Sequence, residues 1–285
     1  MSEEIEITPS NPPLAKGEVG DFKEDKEDMV AYLAARSKVY EVLARAFRYP
    51  WDTNYFNPED MLESLSMILP DDTAWEKVQR LIASVSEALE GTDKERLQRE
   101  HMLIFTHGFS KECPPYEIFY GTDGYTMQIE VLMELGGIYK RYGVELSEKS
   151  DERPDHLSIE LEFMQYLTYK EAYGIQHGHP DEAIKVAADG QKKFILNHLG
   201  RWIPLFCKFL SQKAPKGLYL NLSGLLQIFI ANEVKLLGVK PKVVEAPEFH
   251  PIPYPYEDSI ADSEKSCYVG GKDAIKELQK EMKGK

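Results

Sequence analysis

From about residue 28 to about residue 240 the apolar side chains recur at helical spacing almost without interruption. The strict alternation and hairpin turn signals that a β-sheet would need are missing. Met29, Tyr32, Leu33, Val39, Tyr40, Leu43 and Phe47 follow a period near 3.6, and Pro50 ends that run. The same reasoning predicts helices at about 59–68, 73–90, 94–106, 124–142, 154–173, 181–212 and 216–237. Gly143 and Gly174 stand where helix C-caps favour glycine, and Trp202-Ile203-Pro204 is expected to kink the long helix that contains it. No fixed-period repeat occurs. The expected fold is all-α: a single compact helical bundle over 28–240 with extended terminal tails.

The two ends read differently. Residues 1–27 carry Pro, Gly, Ser and charge with little periodic hydrophobicity, which predicts a mobile acidic tail. Over 241–285 the density of Pro241, Pro247, Pro251, Pro253 and Pro255 forbids a helix at first. Phe249, Tyr254 and Tyr256 between those prolines suggest an extended segment on a surface, and a short polar helix is expected at about Asp273–Lys283. The N-terminus lacks the apolar core of a signal peptide. No run approaches the roughly 20 apolar residues of a membrane span, the richest being broken by Asn221, Asn232, Glu233 and Lys235. A soluble, cytoplasmic protein is expected.

Acidic residues outnumber basic ones by 48 to 34, a formal charge of −14. Such a surface repels phosphate backbones and anionic lipid, so nucleic acid is not an expected partner. It would attract a basic peptide or protein face, although acidity also serves plain dispersal in solution. Cys113, Cys207 and Cys267 are too few and too scattered for a disulfide framework or a zinc knuckle, which fits a reducing compartment.

The most informative stretch is DERPDHLSIELEFMQYLTYKEAYG, residues 151–174. Pro154 suits the first helical turn and Asp155 the positive end of the helix dipole. Leu157, Leu161, Met164 and Leu167 form the stripe expected to be buried, opposed by Glu160, Glu162, Lys170 and Glu171. Asp155 and His156 are adjacent and would point about 100° apart on a helix, which suits chelation of one metal poorly. By spacing alone, Asp155 caps the helix and His156 packs against a neighbour.

A second stretch is KECPPYEIFYGTDGY, residues 111–125. Its Cys113-Pro114-Pro115 entry is rigid, and Tyr116, Phe119 and Tyr120 offer large flat faces. Such a loop either plugs a core or lines a groove for an apolar peptide. Cys113 has no histidine at a spacing that would make it a specific nucleophile. His177-Gly178-His179 reads as an exposed loop before it reads as a metal pair. Neither GxxxxGK[ST] nor GxGxxG occurs, so no cofactor is expected.

Residues 151–174 resemble the signature of the TorD/DmsD/NarJ family of twin-arginine proofreading chaperones, a Glu-x-Pro-Asp-His segment opening a helix rich in Glu, Leu and Met. Here it reads Glu152-Arg153-Pro154-Asp155-His156 followed by ELEFMQYL. Three further stretches match in the same order: ARSKVYEVLARAFRYP (35–50), HMLIFTHG with CPPYEIFYG (101–108 and 113–121), and HLGRWIPLF (198–206). Ile118 replaces a serine frequent in the family, Arg153 varies the motif interior, and the long tail beyond Pro241 looks closer to the delta-subunit chaperones. The resemblance implies a cytoplasmic all-α chaperone without catalysis, metal or cofactor, monomeric or homodimeric. Its partner would be the apo catalytic subunit of a molybdopterin oxidoreductase and its signal peptide. Asp155, Glu152 and Glu117 would supply rim charge, and Tyr116, Phe119 and Tyr120 the floor. Pro115 and Pro154 would shape the loops, and His156 would order them by hydrogen bonding and tune affinity near neutral pH. The competing readings are a permanent accessory subunit of the reductase and a small metal- or thiol-dependent hydrolase using His156, Asp155 and Cys113.

Overall fold

The computed structural model describes residues 22–50, 52–70, 75–105, 112–121, 125–146 and 152–245. These contain helices α1 (Phe22–Phe47), α2 (Pro58–Ile68), α3 (Trp75–Leu89), α4 (Lys94–Phe105), α5 (Tyr125–Arg141), α6 (Leu157–His177), α7 (Asp181–Asn197), α8 (Leu199–Lys213) and α9 (Leu218–Leu236). A 3-10 turn at Glu117–Phe119 precedes α5. No strand occurs among the described residues, and the all-α expectation holds. None of the described helices is long and apolar enough to cross a membrane.

The bundle is organised around α1 and α6, which pack along one another. α7 lies against α6, α8 against α9, and α3 covers α9. The predicted stripe of α6 is the reason: Leu157, Leu161, Met164 and Leu167 are all fully buried. Each contributes roughly 1.5–3 kcal/mol by leaving water. One polar staple crosses this core. Arg36 of α1 donates to Glu233 of α9, Nε to Oε1 at 2.9 Å with Nη2 on the second oxygen, and the Tyr40 hydroxyl donates to Oε2 at 2.7 Å. Both charges are out of water, so the attraction between them mainly offsets their desolvation.

Several boundaries differ from the sequence expectation. α1 begins at Phe22, inside the stretch read as tail. The predicted 181–212 helix is two helices, and the break falls at His198 (φ −123°, ψ −98°) instead of Pro204. Pro204 sits inside α8, where its ring removes one helical hydrogen bond without ending the helix. The bend is close-packed at Gly200, where a Cβ would come 2.4 Å from the Ile195 carbonyl oxygen and 2.5 Å from Pro241 Cγ. Gly174 lies within α6, and the cap is Gly178 in the left-handed region (φ +67°). Pro241–Glu245 runs along α8 without helical structure, the Val244 N–H donating to the Arg201 carbonyl at 2.9 Å. The expected helix at Asp273–Lys283 and the segment 1–21 lie outside the described residues.

Candidate functional site

The two informative stretches of sequence meet. Tyr116 and His156 form an antiparallel bridge. The Glu117 N–H donates to the Asp155 carbonyl at 2.9 Å, and the Leu157 N–H to the Pro115 carbonyl at 2.8 Å. Pro115 is buried in this seam. α5 is tied to the same place by the Tyr139 hydroxyl, which donates to the Pro154 carbonyl at 2.8 Å.

The motif therefore does not open the helix in the way its spacing suggested. α6 starts at Leu157, so Pro154 lies before the helix and not in its first turn. The N-cap is His156, whose Nδ1 accepts from the Ser158 N–H at 3.2 Å. That bond leaves the ring proton on Nε2, 3.7 Å from Glu152 Oε2. The ring also meets Tyr116 edge-on at 4.9 Å between centroids.

The expected acidic rim is corrected in two of its three members. Asp155 is 0 % exposed and Glu117 4 %. Arg153 caps Asp155 with both prongs, Nε to Oδ1 at 3.0 Å and Nη2 to Oδ2 at 2.7 Å. Glu117 faces inward onto His198, whose Nδ1 lies 3.0 and 3.3 Å from the two carboxylate oxygens. Burial of a carboxylate is tolerable only with such a partner, so in this structure both are paired within the chain, Asp155 with Arg153 and Glu117 with His198. Glu152 stays near the surface and accepts from the Tyr116 hydroxyl at 3.0 Å. Tyr120 is likewise not floor but core. Its ring lies 5.2 Å from Trp202, its hydroxyl donates to the Pro114 carbonyl, and burial raises its hydroxyl pKa. Tyr116 is half-buried and Phe119 is 38 % exposed, with ring centroids 6.2 Å apart.

Glu160, read from sequence as solvent-facing, is fully buried beneath this loop. Trp202 Nε1 donates to its Oε2 at 3.1 Å. Burial first and the Glu117 carboxylate second push the Glu160 carboxyl well above the ordinary carboxylate range. Position 160 follows Leu157 by three and precedes Met164 by four, so helical geometry places it on the buried stripe. That spacing could have located it. His198 and Trp202 lie in the matched segment HLGRWIPLF, but nothing local pointed them at position 117 or 160.

A hollow of about 280 Å³ opens beside the cluster, between α5 and α7. Met133, Ile138, Tyr142 and Phe194 give it apolar walls, and Glu134, Arg141, Lys193 and Asn197 its polar lining. His198 reaches it from within, with Nε2 lacking any hydrogen-bond partner. Met133 of α5 is 72 % exposed, and Met127 and Ile129 of the same helix are also exposed. Among the described residues no three His, Cys, Asp or Glu side chains converge as a metal ion would require. Cys113 is buried and its thiol is pushed well up by burial, which opposes thiolate formation.

Residues 70–208 match the model of the nitrate reductase delta subunit family. The chain is 32 % identical to the selenate reductase assembly chaperone protein of Thauera selenatis over 48 % of its own length and 67 % of the relative's. It is 28 % identical to the chlorate reductase assembly chaperone protein of Ideonella dechloratans over 61 % of its length and 84 % of the relative's. Over 64 % of its length and 81 % of the relative's it is 23 % identical to the chaperone protein TorD of Vibrio cholerae. With its helical bundle, its Glu-x-Pro-Asp-His turn and these relatives, the chain belongs to the nitrate reductase delta subunit family, the TorD- and NarJ-like group that its motif resembles.

Proposed function

We propose that this protein is a system-specific cytoplasmic chaperone for a molybdopterin oxidoreductase. It binds the apo catalytic subunit, including its twin-arginine leader where one exists, and holds it until cofactor is inserted. Several relatives are named assembly chaperones of reductases. The observation that carries the reading is how the motif's polar groups are used. Asp155, Glu117 and His156 have their hydrogen bonds made within the chain. What is left towards the surface is a pair of aromatic side chains, Tyr116 and Phe119, and, between α5 and α7, a hollow with apolar walls. Such a surface suits a polypeptide segment, whose apolar side chains need a dry recess and whose charges need a polar border.

The hydrolase reading requires an activated nucleophile or a metal. Cys113 is buried with its ionisation disfavoured, and the cluster around Glu117 is shielded from substrate. Isothermal titration of the full chain with a synthetic leader peptide, an Arg-Arg pair ahead of an apolar run, tests the chaperone reading. Saturable binding is expected, together with no turnover of ester or phosphoester substrates. Turnover without peptide binding would overturn it.

A further inference from the structure

The loop at the candidate site holds a complete receptor for a guanidinium group, and the guanidinium in it belongs to the chain. Arg153 meets Asp155 with the two-pronged geometry, at 3.0 and 2.7 Å, that distinguishes arginine from lysine. Its Cζ lies 4.5 Å from the centroid of Tyr116 and 5.8 Å from that of Phe119. Both distances fall within the roughly 6 Å at which a ring face attracts a cation. Glu152 stands beside it, holding the Tyr116 hydroxyl. Carboxylate floor, aromatic walls and a second carboxylate at the edge together make a slot shaped for one arginine head.

Asp155 is 0 % exposed, whereas the side chain of Arg153 is 42 % exposed. The cation is thus the cover over the carboxylate and forms the outer surface of the slot. It is tethered only two residues away, on a long side chain whose exposed part already faces solvent. The rest of the carboxylate's environment, including the Ile118 N–H at 3.4 Å, would stay in place.

We propose that Arg153 is a resident stand-in for an arginine of the client polypeptide, which takes the Asp155–Tyr116–Phe119 slot when Arg153 swings out. This rests on the chaperone reading and specifies its partner: a segment bearing an arginine, as the chain's formal charge of −14 favours. One guanidinium replaces another on the same carboxylate, so the exchange adds little net affinity. It acts as a filter instead. A client lysine could not reproduce the fork, and a neutral segment would leave Arg153 where it is.

The test uses the full chain and two synthetic peptides that differ only in that the Arg-Arg pair of one is a citrulline pair in the other. In Arg153→Gln the slot is unoccupied, and the competition that lowers apparent affinity is gone. The arginine peptide is then expected to bind about tenfold tighter than to the unaltered chain, while the citrulline peptide binds both chains alike. Adding Asp155→Asn to Arg153→Gln is expected to erase the gain. Arginine-peptide affinity that is unchanged or weaker in Arg153→Gln would overturn the inference, as would a gain that survives Asp155→Asn. Circular dichroism matching the unaltered chain accompanies each variant, and Arg153→Lys, which keeps the charge but not the fork, should show part of the gain. Failure of every chain to bind either peptide would overturn the chaperone reading itself, and this inference with it.

Discussion

His198 Nδ1 lies 3.0 Å from the Glu117 carboxylate across 81 residues of sequence, and this contact joins the aromatic loop to the floor of the hollow. Glu117 follows Tyr116 in the loop and neighbours the fully buried Glu160, while His198 occupies the break between α7 and α8. Replacing Glu117 by leucine would strand the imidazole N–H in an apolar setting. A destabilisation of about 1–3 kcal/mol is expected from urea unfolding. Replacement by glutamine should cost less, because its carbonyl still accepts from Nδ1.

Glu160 gives the cluster a pH signature. Its folded pKa is raised, so its stabilising contribution is complete below the ordinary carboxylate pKa and is lost as pH rises from there towards the folded value. Stability should therefore fall as pH rises above the ordinary carboxylate range, by up to about 1.4 kcal/mol per pH unit, and the thermal unfolding temperature should fall with it. Glu160→Gln retains an acceptor for Trp202 and has no charge to desolvate. Its unfolding temperature should vary less with pH and exceed that of the unaltered chain at pH 8. A steeper dependence in the variant would refute the assignment.

The staple between α1 and α9 is predicted to behave as a unit. Arg36→Met leaves Glu233 buried without its cation and should cost about 3–5 kcal/mol in urea unfolding. The double variant Arg36→Met, Glu233→Met should recover most of that loss, since an apolar pair needs no compensation. Additive losses would contradict this.

Gly137 lines the hollow, and a Cβ there would meet nothing within 4 Å. Gly137→Leu should fill the recess without strain and stabilise α5 by about 0.5–1 kcal/mol, because glycine is a poor helix former. If the recess receives an apolar side chain of the client, titration should show at least about a tenfold loss of peptide affinity alongside that gain. Full affinity in the variant would remove the hollow from the docking surface.

Much of the architecture could be read from periodicity. The α6 stripe from Leu157 to Leu167 and the cap at Gly143 depend only on local rules, and the structure agrees with both. The break at His198 could not be found this way, because it depends on Gly200 meeting Pro241 across 41 residues of chain. The site followed the same division. The sequence marked both loops but placed Asp155 and Glu117 on a rim, since charge ordinarily signals solvent. Their burial depends on Arg153 and His198, partners that spacing within either loop does not assign. Tyr120 joined the core for a related reason: an aromatic face is as suited to Trp202 as to a peptide, and only the tertiary neighbours decide.

What the protein holds, and in which state, decides its function. The most direct measurement is capture of the full tagged chain from its native host, with mass spectrometry of the bound polypeptide and elemental analysis of its molybdenum. The expected catch is a molybdopterin reductase catalytic subunit carrying far less than one molybdenum per polypeptide. A captured subunit with a full complement of molybdenum would point to a permanent accessory subunit, and capture of no such reductase would rule out the chaperone function altogether.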